Sequence, residues 1–105
     1  MTRYVVGFGT NKGWNLVTKS KYGPDEHYEF ESIVLARKWA RQQINESRFS
    51  NLSIFRKSAK GEYTYCGKIQ FADSSMRYIP RWNFVWISKD GTLSILNRDG
   101  TLKKA

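Results

Sequence analysis

Seven consecutive residues, Met76-Arg77-Tyr78-Ile79-Pro80-Arg81-Trp82, place cations among large apolar side chains in a stretch that proline keeps out of regular pairing. Such a segment suits single-stranded nucleic acid. Guanidiniums meet phosphates while ring faces take unstacked bases. It also suits a protein interface, where Arg, Tyr and Trp are the enriched anchors. A third reading is a crossover loop whose Ile79 and Trp82 fill the core while the arginines stay in water. The candidate contacts here are Arg77, Tyr78, Arg81 and Trp82.

A second constellation lies on an expected helix. At 100° per residue, Arg37, Arg41 and Arg48 fall within about 40° of one another beside the apolar face, with Lys38 and Asn45 further round. Exposed together, they could follow the phosphates of a groove. Solvated arginines whose stems cover apolar neighbours are the alternative. A third pattern is a basic residue beside the glycine of every expected hairpin tip: Lys12, Lys60, Lys89 and Arg98. Lys57 stands just before the Lys60 tip. Lysines at turns also guard strand edges, and Asp90 and Asp99 offset the charge at two of the tips.

Catalytic chemistry has thin support. The chain carries one His and one Cys, which removes most of the side chains used for metal binding, nucleophilic attack and proton transfer at neutral pH. The one acidic cluster, Asp25-Glu26-His27-Tyr28-Glu29-Phe30-Glu31, lacks a second His and a ligand-spaced carboxylate pair. Cys66 reads as a small, partly buried apolar residue. Lys60-Gly61-Glu62-Tyr63-Thr64-Tyr65-Cys66 echoes an RNA-recognition-motif strand only faintly: the spacing is off and the expected order lacks that fold's second helix, so the echo is a coincidence. Gly7-Phe8-Gly9 is too short to cradle a phosphate. No catalytic residue, metal or cofactor is expected, and the chain reads as a non-enzyme.

These residues need a scaffold. Strands are expected over 3–8 and 14–19, joined by Thr10-Asn11-Lys12-Gly13. Ser32 should cap a helix running to about Arg48. Its apolar face is Ile33, Ala36, Ala40 and Ile44, widened by Leu35 and Trp39. A second hairpin, 51–57 and 62–71, follows, with Tyr63, Tyr65, Ile69 and Phe71 in step. Residues 72–81 are irregular. Strand 82–88 alternates Trp82, Phe84 and Trp86 with Val85 and Ile87. A meander continues over 93–96 and a short last strand. The expected fold is α+β: an antiparallel sheet with one helix packed on a face, in the order ββαββ, then a C-terminal β-meander. It reads as a single domain over 1–105, with 1–71 as the ββαββ unit. Trp14, Leu16, Ile33, Ala36, Ala40, Ile44, Leu52, Ile54 and Tyr65 should lie in or near the core. Apolar Val5, Val17 and Phe55 on the reverse of their strands imply that the second face is also partly covered. The near copies Lys89-Asp90-Gly91-Thr92-Leu93 and Arg98-Asp99-Gly100-Thr101-Leu102 need only common hairpin chemistry.

Composition narrows the partner. The 105 residues hold 18 Lys+Arg against 9 Asp+Glu, a formal charge of +9, so a polyanion is the natural partner. Aromatic residues make up 15% of the chain, which separates it from disordered basic tails. The first residues lack the apolar stretch of a signal peptide, and no run is long enough to span a membrane. A cytoplasmic location without membrane contact is expected. The leading reading is a small basic nucleic-acid-binding protein acting mainly through phosphate contacts, of the kind that serves a phage or mobile element. The alternative is an inhibitor or adaptor, of the anti-defence or host-takeover type, that binds a nucleic-acid-handling protein. Sequence leaves oligomeric state open, as well as DNA against RNA.

Overall fold

Ser32 stops an extended segment, and its hydroxyl accepts the backbone N–H of Leu35 at 3.1 Å, capping α1 (Ile33–Asn45) as expected. In the computed structural model, residues 3–10, 13–16 and 28–104 are described, with backbone alone for 9, 10 and 13–16. The tip at Lys12, the side chains of Trp14 and Leu16, Val17, and the Asp25–His27 part of the acidic cluster lie outside the described residues. The helix ends three residues before Arg48. Ser47 takes a left-handed φ of 61°, and the N–H groups of Ser47 and Arg48 fold back onto the carbonyls of Ile44 and Gln43. That paired closure satisfies the last carbonyls and turns the chain out of the helix.

The strands are β1 (Arg3–Thr10), β2 (Gly13–Leu16), β3 (Glu29–Phe30), β4 (Asn51–Lys57), β5 (Tyr63–Phe71), β6 (Phe84–Ser88), β7 (Leu93–Leu96) and β8 (Leu102–Lys104). They form one antiparallel sheet in the order β2-β1-β4-β5-β6-β7-β8, and β3 pairs with β1 at Tyr4 and Val5. The fold is α+β, with the helix packed on the sheet. The C-terminal meander extends the sheet.

Alternation assigns the two faces. Val6, Leu52, Ile54, Ile69, Phe84, Trp86 and Leu96 join Ala36, Ala40 and Ile44 in the main core under the helix. Ile33 and Trp39 pack at its rim. Tyr28 and Phe30 stack against Trp39 at 4.4 and 5.9 Å. Leu35 does not widen this face: it is 48% exposed.

A bulge breaks the expected run along β5. Ile54 pairs with Gly67 but Phe55 pairs with Tyr65, leaving Cys66 as the extra residue. Tyr63 and Tyr65 therefore lie on the reverse face with Val5 and Phe55, while Ile69 and Phe71 stay on the helix face. Tyr65 is half-buried there, edge-on to Phe55 at 5.5 Å. Gly67 is required by its neighbour. A Cβ there would lie 2.5 Å from the Trp86 ring and 2.7 Å from the Ile87 carbonyl.

Candidate nucleic-acid interface

Residues 72–83 cross from β5 to β6 over the reverse face of the sheet. Ala72 and Ile79, 6% and 5% exposed, form a second small core with Val85, and Met76, Ile87, Leu93 and Ile95 pack around it. The crossover thus covers the half of the reverse face that β6 and β7 present. Its backbone is a chain of turns. The N–H of Met76 donates to the Asp73 carbonyl, that of Ile79 to Met76, and that of Asn83 to Pro80, while the Ala72 N–H closes the base on Asn83 at 2.9 Å. The Asp73 carboxylate accepts the Ser75 hydroxyl, the Ser75 N–H at 2.9 Å and Gln70 Nε2 at 3.2 Å. Those bonds, the Ser75 hydroxyl first, hold its carboxyl below the usual carboxylate range.

A segment so anchored turns its remaining side chains outward. Tyr78 is 93% exposed and Trp82 78%, and Arg77 and Arg81 are exposed beside them. Trp82 was expected to open β6. The Pro80–Asn83 turn ends that alternation, so the strand begins at Phe84 and the indole stands in water. Of the two apolar residues expected to fill the core, only Ile79 does. Beside Tyr78 runs a groove of about 330 Å³, lined by Ser75, Met76, Arg77, Tyr78, Ile79 and Leu93. The arrangement offers two ring faces, two guanidiniums and an apolar slot.

The helix arginines do not form an exposed stripe. Arg37 is 8% exposed, with its guanidinium 5.1 Å over the Trp86 ring. Arg41 lies 4.2 Å over Phe84, which itself packs against Phe71 at 4.3 Å. The sheet reaches past the helix to β6, so both side chains lie down on its aromatics. Burial pulls both guanidiniums below their ordinary proton affinity, and the Nε of each is buried without a hydrogen-bond partner. Arg48, beyond the helix end, approaches Gln43 Oε1 at 3.4 Å and Glu46 at 3.7 Å.

At the β4–β5 hairpin, Lys57 donates to Glu29 at 2.7 Å, and that bond raises its proton affinity. Lys60 is exposed at the tip, beside Gly61 with its φ of 85°. Glu31 pairs with Arg3 at 3.3 Å, so both described carboxylates of the acidic cluster are held by cations. Among the described residues no three His, Cys, Asp or Glu converge as metal ligands. Burial pushes the Cys66 thiol up.

The candidates therefore divide. Arg77, Tyr78, Arg81 and Trp82 come together on the crossover. Arg37 and Arg41 sit on the other face of the sheet. Lys57 and Lys60 lie at the opposite end of β5 from the start of the crossover. Sequence reasoning also passed over a basic notch formed by Lys38, Arg41 and Arg98, because the tip carrying Arg98 looks like the tip carrying Lys89. Among the described residues, no helix is long and apolar enough to cross a membrane. No protein-family model matches the chain, and no curated protein or solved structure matches it either.

Proposed function

We propose that the protein is a non-enzymatic binder of single-stranded nucleic acid, with the crossover as its contact surface. One observation carries this reading: Tyr78 and Trp82 are 93% and 78% exposed on a segment pinned by buried Ile79 and flanked by Arg77 and Arg81. Large aromatics are ordinarily at least half covered, and a pre-ordered loop that leaves two in water keeps them for a partner. Each ring can stack an unpaired base for about 1–3 kcal/mol, while the arginines meet the intervening phosphates. The +9 charge of the chain draws a polyanion in from a distance.

Titrating a labelled deoxythymidine oligomer, and a duplex of equal length, at several salt concentrations tests the reading. The single strand should bind more tightly, with quenching of tryptophan emission. No binding at low salt would end the proposal. Tighter binding to duplex would move the contact surface off the crossover.

A second reading draws on the groove beside Tyr78. Its apolar wall of Met76, Ile79 and Leu93 would take an apolar side chain of a protein target, with Tyr78, Trp82 and Arg77 as anchors. The target would be a nucleic-acid-handling protein whose acidic surface speeds association. A stoichiometric complex that survives nuclease treatment, in a protein that ignores oligonucleotides, would favour it.

A further inference from the structure

The two near-identical turns of the meander have different surroundings. Ser88 to Thr92 and Asn97 to Thr101 close alike: a backbone bond from the glycine N–H to the first residue, and one from the first N–H to the last carbonyl. Gly91 and Gly100 both take a φ near 90° (90° and 91°). A Cβ on Gly91 would meet nothing within 4 Å, whereas one on Gly100 would lie 2.1 Å from the Val34 carbonyl and 3.0 Å from the Lys38 N–H nitrogen. The β7–β8 turn is thus seated against the outer flank of α1. Hairpin geometry alone explains Gly91. Gly100 has a second reason: it lets the turn dock.

Docking places Arg98 opposite the C-terminal half of the helix. The result is a notch of about 340 Å³ lined by Lys38, Arg41, Gln42, Asn45 and Arg98. Three cations and two amide side chains converge there. Among the described residues, none of the three cations reaches a carboxylate within ion-pair distance. The carboxylate of this turn, Asp99, accepts the Thr101 hydroxyl at 2.5 Å and the Thr101 N–H at 3.0 Å, and the nearby charge of Lys38 adds a smaller pull that keeps it ionised. The cations also repel one another: besides burial, the charge of Arg98 lowers the proton affinity of Arg41. Arg41 is positioned from below, since its guanidinium rests on Phe84.

We propose that this notch is a phosphate-binding site, with Arg41, Arg98 and Lys38 as charged donors and Gln42 and Asn45 as neutral ones. Converging guanidiniums and an ammonium form a donor set for tetrahedral oxyanions, and a doubly charged phosphate relieves the repulsion among them. The phosphate group could belong to a nucleic-acid backbone or to a free phosphorylated small molecule. The site lies on the helix side of the sheet, away from Tyr78 and Trp82, so it stands apart from the crossover reading.

The test is an amide-resolved NMR titration of the whole chain with sodium phosphate against sodium chloride at matched ionic strength. A second arm uses a deoxythymidine oligomer. Saturable shifts confined to residues 38–45 and 97–101 in the phosphate arm support the site. Saturable shifts of those same residues in the oligonucleotide arm alone also support it and assign the phosphate to a nucleic-acid backbone, whereas shifts confined to the crossover do not. Arg98→Gln and Lys38→Gln change exposed positions, and retained melting temperatures will show that both fold. Each should weaken the response by roughly tenfold, the loss of one charge-assisted hydrogen bond. Unchanged titration in both variants, or no saturable shift of residues 38–45 and 97–101 in either arm, overturns the proposal. Tyr78→Ala/Trp82→Ala separates the two readings. It should abolish tight oligonucleotide binding and leave the phosphate titration of the notch intact.

Discussion

Neighbouring residues on the crossover should respond in opposite ways to the same truncation. Tyr78 keeps 93% of its surface in water, so less than a tenth is covered. A tyrosine offers about 200 Å², so the covered part is about 14 Å² and is worth about 0.35 kcal/mol at 25 cal/mol per Å². Ile79 is 5% exposed and packs against Val85. Truncating a buried isoleucine to alanine costs about 2–5 kcal/mol, and a site in a small satellite core belongs at the low end. For a domain of this size 1 kcal/mol moves the melting temperature by about 4 °C. Thermal melts followed by circular dichroism should put Ile79→Ala at least about 8 °C below the parent and Tyr78→Ala within about 2 °C. Trp82→Ala should fall between, since about a fifth of that residue is covered. Equal losses for Tyr78→Ala and Ile79→Ala would mean that Tyr78 is a core residue, and the crossover would lose its claim as a binding surface.

Three further outcomes follow from local geometry. Gly67→Ala should lower stability by about 1–3 kcal/mol in urea unfolding, because its new Cβ meets the Trp86 ring at 2.5 Å. Ser47→Gly should raise stability by about 1 kcal/mol in the same assay, since the left-handed φ of 61° strains any side chain but suits glycine. The Asp90 carboxyl is held down to about 2, first by the Ser88 hydroxyl and then by the Thr92 N–H. Its folded proton affinity lies below the unfolded one. The stability it adds is therefore present above the ordinary carboxylate range and lost as pH falls through about 2. Asp90→Asn should make the melting temperature less sensitive to pH between about 4 and 2.

The elements visible in the sequence were those with local causes. Ser32 capped the helix, the 3.6-residue period gave its buried face, and glycines at 61, 91 and 100 set hairpins whose positive φ values required them. The misses had causes further away along the chain. The Cys66 bulge moves Tyr65 to the reverse face, and no alternation pattern shows an unpaired residue inside a strand. Arg37 looked exposed because a helical wheel does not say how wide the sheet beneath it is. Once β6 extends that sheet, Trp86 lies under the guanidinium. Trp82 shared the strand alternation of Phe84 and Trp86, and only the turn bond from Asn83 to Pro80 separates it from them. The composition of the crossover was legible, whereas its split into inward Ile79 and outward Tyr78 and Trp82 was not. Nothing in the Arg98 turn told it from the Lys89 turn, because docking on α1 depends on how the sheet places each turn.

The most direct measurement compares salt-dependent affinities for a deoxythymidine oligomer among three proteins: the parent, Tyr78→Ala/Trp82→Ala and Arg77→Gln/Arg81→Gln. Stacking carries no counterion release, so losing two rings should cost about 2–6 kcal/mol and leave the slope of log affinity against log salt unchanged. Losing two phosphate contacts should flatten that slope by about 1.4, at about 0.7 per contact on a single strand. Parent-like affinity in the aromatic variant, or a parent-like slope in the arginine variant, would contradict the account.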